Sequence, residues 1–114
     1  MNHEMKLNDE PFLKIKEGSK TIEMRLYDEK RRLVKVGDII EFTNRDTLEK
    51  ICVKVIKLHF FNNFEDLYKN FDNVSLGYNK YEESSPDDME KYYSKEEQKL
   101  YGVVGIEIKL IKNT

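Results

Sequence analysis

At 114 residues the chain is the size of one ordinary domain, long enough for one core and not for two, so a single domain over 1–114 is expected. Twenty Lys and Arg against 22 Asp and Glu give a net charge of −2, which argues against the broad basic surface of a duplex binder and leaves room for a local basic pocket. The one cysteine, Cys52, excludes an internal disulfide and lies in an apolar run, where a buried, inert thiol is expected.

The opening Met1–Glu10 is polar and charged, without an apolar leader segment, and no run approaches the roughly 20 apolar residues of a membrane span. A cytoplasmic protein is expected. Asn8 or Asp9, Pro11 and the apolar stripe Phe12 and Ile15 predict a short helix that Gly18 ends. A strand Thr21–Leu26 follows, with Ile22, Met24 and Leu26 on an apolar face and Thr21, Glu23 and Arg25 on the other. Lys20 stands at its entrance. Two cations flanking one carboxylate on a core-forming segment make this the candidate site; the plain alternative is a surface ion-pair ladder. Tyr27–Arg32 reads as a loop, with Arg31 and Arg32 placed to line a cleft mouth.

Lys35-Val36-Gly37-Asp38 predicts a tight turn into a strand Asp38–Thr43, and Asn44–Thr47 a second turn. Ile51–Phe61 is the longest β-rich run, and its alternation slips parity: Ile51, Val53 and Val55 precede Ile56, Leu58 and Phe60. A bulge near Val55–Lys57 would turn both sets inward, as in a strand curling around a small barrel. His59, without a second His or Cys nearby in sequence, reads as an ordinary half-buried histidine. Asn63 caps a helix Phe64–Phe71, Asn73–Ser84 reads as loop, Ser85-Pro86 starts another helix, and Ser94 with Glu97 forms a capping box for one more that stops at Gly102. Tyr92, Tyr93 and Tyr101 have apolar bodies for packing and hydroxyls for a pocket rim. Val103–Ile111 closes the chain as a strand with one dry face. Four strands without a βαβ rhythm predict an α+β fold, a small, mostly antiparallel barrel or curved sheet with short flanking helices.

The pattern Gly18-x-Lys20-x-x-Glu23-x-Arg25, then Lys35-Val36-Gly37-Asp38 before a strand, then Tyr101-Gly102-Val103-Val104-Gly105-Ile106-Glu107, resembles the ASCH domain, a family of the PUA-like superfamily, from about Leu7 to Ile111. The resemblance implies a PUA-like β-barrel and a cleft bordered by the first motif that binds RNA or a nucleotide-like ligand. Lys20, Thr21, Glu23, Arg25 and Tyr101 are then the ligand-binding candidates, and the chain asks for no metal or cofactor. A small branch of the family is similar too: amidohydrolases of N(4)-acetylcytidine, which use a lysine, a threonine three residues later and a distant glutamate that this sequence does not place. Lys20 matches the lysine, and Glu23 stands at the threonine position, so in a hydrolase acting on a modified nucleoside or RNA the catalytic candidates are Lys20 and Glu23. A protein-interaction adaptor is the third class. A carboxylate between two cations stays ionised and is a weak base, which places binding ahead of catalysis.

Overall fold

In the computed structural model, which describes residues 1–111, the strands are β1 (Asn2–Leu7), β2 (Ile22–Leu26), β3 (Ile39–Asn44), β4 (Lys50–Phe61) and β5 (Val103–Leu110). The helices are α1 (Asp9–Glu17), α2 (Phe64–Lys69), α3 (Asn73–Leu76) and α4 (Lys95–Tyr101), with 3-10 turns at Arg31–Leu33 and Pro86–Lys91. One sheet of order β1-β3-β4-β5-β2 curls into a half-barrel, an α+β arrangement with short flanking helices. Three pairings are antiparallel, and β1 lies parallel to β3. The curl has a visible cause: the β4–β5 register shifts between Val55 and Lys57, where the parity of β4 slips.

Five strands replace the four expected. β1 is the addition, a short edge strand in which only Met5 and Leu7 are buried, too few apolar positions to stand out in a charged segment. Within the stretch read as loop, α3 is a single turn that Gly77 ends with φ of 101°. Other signals act locally as their chemistry demands. The Asn63 side chain accepts from the Asp66 amide, and Ser94 and Glu97 cap α4 reciprocally. Gly37, at φ of 95°, completes the turn before β3. There Asp38 accepts from the His3 ring at 2.8 Å and the Lys35 amide at 3.0 Å, which hold its carboxyl down at about 2.

Both sheet faces are covered, each by its own cluster. Inside the curl Phe12, Ile15, Ile40, Phe42, Val53, Val55 and Ile106 form the larger core, closed by α1. On the outer face Ile22, Met24, Leu26 and Val103 pack with Phe64, Leu67, Leu76 and Met89 from the helical side. β5 therefore has no single dry face: Val103 and Gly105 are as buried as Val104 and Ile106. Gly105 makes this possible, since a Cβ there would stand 3.2 Å from Ile22 and 3.5 Å from Leu67. On β4 the bulge turns only Leu58 toward the core, while Ile56 and Phe60 stay exposed, the latter edge-on to Tyr27. Cys52 is half-buried on the parity opposite Val53 and is less enclosed than the sequence suggested. Among the described residues no helix is long and apolar enough to cross a membrane.

Candidate functional site

The spacing of the motif follows from the chain path. Gly18, at φ of 93°, stops α1, and within two residues the backbone enters the sheet, so Lys20 lands at the mouth of β2. Glu23 and Arg25, two apart on one strand, share a face. Their cross-strand partners are Ile106 and Val104, members of the larger core, so the charged face of β2 looks into the curl rather than out to solvent.

Lys20, Glu23 and Arg25 meet there. Glu23 Oε1 lies 3.4 Å from Lys20 Nζ, while Oε2 accepts from Arg25 Nε at 2.9 Å and lies 2.8 Å from Nη2. Lys20 and Glu23 are each only 5% exposed. Lys20 also donates to the Leu76 carbonyl at 2.9 Å, and Lys14 to the Gly77 carbonyl at 2.7 Å, so the carbonyl end of α3 is met by two cations. Arg25 reaches across to the Lys6 carbonyl at 3.0 Å. That contact bridges β2 and β1, the two edge strands of the sheet, and closes the opening of the half-barrel with a side chain in place of backbone pairing.

Burial and charge oppose each other at these groups. Burial pulls the Lys20 amine below its ordinary value in spite of Glu23. It would push the Glu23 carboxyl up, but Arg25 and then Lys20 outweigh it and hold the group below its ordinary value. For Arg25 burial is again the largest effect, overcome by Glu23. With all three ionised, the cluster carries one net positive charge.

This cluster borders a cleft of about 690 Å3, whose other walls include Lys6, Arg45, Tyr78, Asp88, Tyr92 and Tyr93. Tyr78 donates to Asp88 Oδ2 at 2.7 Å and shares a hydrogen bond of 2.7 Å with Tyr68. Burial keeps Tyr78 a neutral phenol, its pKa raised, and pushes Tyr68 up to about 12. Burial likewise raises Tyr93, and Arg25 offsets part of that effect. Tyr93 packs against Phe64, whereas Tyr92 is 60% exposed and presents its ring to the cleft. A wider depression of about 1190 Å3 between α2 and α4 has a mixed polar, aromatic and charged lining, and its charged side chains are all exposed, without a buried ion.

Of the residues singled out from sequence, three converge and two do not. Thr21 is half-buried, with its amide on the Ser75 carbonyl and its carbonyl on the Ile108 amide, and it does not line the cleft. Tyr101, at the end of α4, packs with the outer cluster and lines the other depression. Arg31 and Arg32 are also elsewhere. Arg31 pairs with Asp28 at 3.3 Å, and the Arg32 guanidinium sits 4.5 Å over the Tyr27 ring. His59 bonds Glu107 at 2.9 Å and stands edge-on to Phe71, a half-buried histidine with a partner. Among the described residues no group of three or more His, Cys, Asp or Glu side chains is placed to hold a metal.

Gly77, Tyr78 and Asp88 were not singled out as site residues. Gly77 carries the clearest signal, a glycine between Leu76 and Tyr78 with no period around it. A Cβ at Gly77 would lie 2.9 Å from Lys20 Cδ and 3.3 Å from its Nζ, and Lys20 is pinned by Leu76 and Glu23. Gly37 has a similar positive φ but open space around it. Both Gly→Ala variants incur the left-handed backbone penalty of about 1 kcal/mol. Gly77→Ala should therefore cost more than Gly37→Ala by at least about 1 kcal/mol, the cost of displacing a buried charge from its partners. Guanidinium denaturation of the two variants gives the difference, and equal losses would show that Lys20 yields freely.

The ASCH domain pattern matches residues 5–112 of the chain. In fold and sequence the chain is similar to hypothetical protein PH0355, known from a crystal structure, with 36% identity, a TM-score of 0.84, and coverage of 97% of this chain and 100% of that one. It is also similar to protein PF0455 from Pyrococcus furiosus, known from solution NMR, with 33% identity, a TM-score of 0.72, and coverage of 99% and 100% respectively. No curated protein matches.

Proposed function

The chain belongs to the ASCH domain family, and from that premise we propose that it binds RNA or a nucleotide-like ligand in the cleft bordered by Lys20, Glu23 and Arg25. The observation that carries this reading is the buried ion cluster. Taking charges out of water costs several kcal/mol each, and apolar residues of similar volume often serve stability as well or better. On the same face β5 places Val104 and Ile106, so β2 had an apolar solution available. A cleft of about 690 Å3 is within the range of small-ligand sites. Lys20 and Arg25 make the floor of the cleft positive, the exposed cations Lys6 and Arg45 on its rim are placed for a phosphate, and Tyr92 offers a ring for stacking.

Net charge −2 implies a few local contacts rather than a wide basic track. Two or three phosphate contacts, at roughly −0.7 each for single strands, predict a log–log salt slope of about −1.5 to −2. Fluorescence anisotropy on a short single-stranded RNA at several salt concentrations measures it. Lys6→Ala and Arg45→Ala, both at exposed positions on the cleft rim, should each flatten the slope by roughly 0.7 without unfolding the protein. A slope of about −4 or steeper, or no change in either variant, puts the ligand elsewhere.

A second reading, hydrolysis of a modified nucleoside such as N(4)-acetylcytidine, draws on the lowered pKa of Lys20, which brings a neutral amine closer to working pH. Mass spectrometry after incubation with acylated nucleosides distinguishes the two. Turnover abolished by Lys20→Met would put the enzyme first.

A further inference from the structure

The two sides of the cleft carry opposite charge. On one side the ends of β1 and β3 present Lys6 and Arg45, neighbours because the Arg45 amide donates to the Leu7 carbonyl at 2.8 Å. The acid on that side, Glu10, is occupied by Lys14 at 3.3 Å. The facing side runs from the end of α3 to the second 3-10 turn and presents Glu82, Glu83 and Asp88, with Lys91 as its cation. Its acids are held by the chain fold. The Asn73 side chain donates to the Glu82 backbone carbonyl at 2.6 Å and accepts from the Ser84 hydroxyl at 2.6 Å, while Glu82 Oε1 accepts from the Asn79 amide at 2.9 Å, which leaves Oε2 as a further acceptor. Asp88 Oδ2 is taken by Tyr78, which leaves Oδ1 as a further acceptor. Between the two sides lies the buried Lys20–Glu23–Arg25 floor.

We propose that the cleft holds a single nucleotide unit in one orientation, its phosphate against Lys6 and Arg45 and a base bearing an exocyclic amine against Glu82, Glu83 and Asp88. This deepens the nucleotide-binding reading above and rests on it. A strand threaded through the whole cleft would bring phosphates against three carboxylates, so the acidic side limits the anion to one end. Ionised carboxylates only accept hydrogen bonds. They therefore suit the amine of cytosine or adenine and repel the carbonyl that uracil has in its place, a discrimination built from repulsion as well as attraction. The charged floor supplies depth, and the two rims supply direction.

Calorimetric titration of the intact protein at low salt with cytidine monophosphate, uridine monophosphate and cytidine reads both ends. Cytidine monophosphate should bind about tenfold tighter than uridine monophosphate, the worth of one hydrogen bond to a charged group, and tighter than cytidine. The double variant Lys6→Ala, Arg45→Ala should reduce cytidine monophosphate to the affinity of cytidine while keeping the base preference. Glu82→Gln with Glu83→Gln should shrink the base preference to the share that Asp88 carries while keeping the gain from phosphate. All four positions are exposed, so both proteins stay folded, which thermal melts verify. If a 5′-phosphorylated tetracytidylate shows both signatures and the monophosphate does not bind, the unit is an RNA end in the same orientation. Equal affinity for the two monophosphates, or a base preference lost with the basic pair, overturns the orientation. Single-stranded RNA binding with neither signature overturns it too and leaves the cleft reading standing, whereas no binding of any nucleotide or RNA overturns both.

Discussion

Glu23→Gln should lower the unfolding free energy by about 3–5 kcal/mol, the usual cost of removing one partner from a buried ion pair. The substitution keeps the shape of the side chain and leaves Lys20, 5% exposed, and Arg25 as uncompensated cations around a neutral amide. Had the charged face of β2 been an outer, solvated one, the same change would cost a few tenths. Adding Lys20→Met should recover part of the loss by removing one of the stranded charges. The effect has a pH signature. The Glu23 carboxyl titrates below its ordinary value of 4.5 in the folded protein, so its contribution is present above 4.5 and fades as pH falls through the lower folded value. The gap between wild type and Glu23→Gln should accordingly narrow in acid. Guanidinium midpoints at neutral pH and in acid test both statements, and a neutral-pH loss under about 1 kcal/mol would show that water reaches the cluster.

Met24→Asp should abolish folding. Met24 is 8% exposed on the opposite face of the same strand, in the apolar cluster of Ile22, Leu26, Leu67, Leu76 and Met89. An unpaired carboxylate there belongs to the class of changes that exceed about 4 kcal/mol, a large part of the roughly 5–15 kcal/mol that a small domain has. Met24→Leu, close in volume, should cost under about 1.5 kcal/mol. Circular dichroism melts separate the two, and a folded Met24→Asp protein would mean that this face of β2 meets water.

The two variants probe adjacent residues of one strand, and what was legible in the sequence divides at the same place. Parity along Thr21–Leu26 separates the apolar and charged sets correctly, because side-chain alternation in a strand is local geometry. It does not report what covers each set. Lys20 and Glu23 are as enclosed as core residues, and Arg25 is half-buried, because the end of α3 at Leu76 and Gly77 and the turn through Asp88 fold against this cluster from more than 50 residues away. Capping signals at Asn63, Ser85 and Ser94 were readable for the same local reason, as was the bulge in β4. β1 was not readable, since its place in the sheet depends on Ile39–Asn44 offering a partner to a strand with two buried side chains. Thr21 and Tyr101 mark the limit in the other direction. They lie within the motifs in sequence, yet the backbone engages Thr21 with α3 and turns Tyr101 toward α2.

Arg25 spanning from β2 to the Lys6 carbonyl has a consequence for association between molecules. An open sheet has two free edges, and each is a template for another chain's strand. Here the edges belong to β1 and β2, and one guanidinium ties them together over a charged crevice, while the Thr21 amide just before β2 is taken up by α3. Lysine-bearing edge positions and inward-pointing charges are the means by which sheets resist edge-to-edge joining, and Lys6, Glu23 and Arg25 supply both. Whatever loosens the ion cluster exposes two templates at once, so the residues that shape the cleft also keep separate copies of the chain from joining through their sheets.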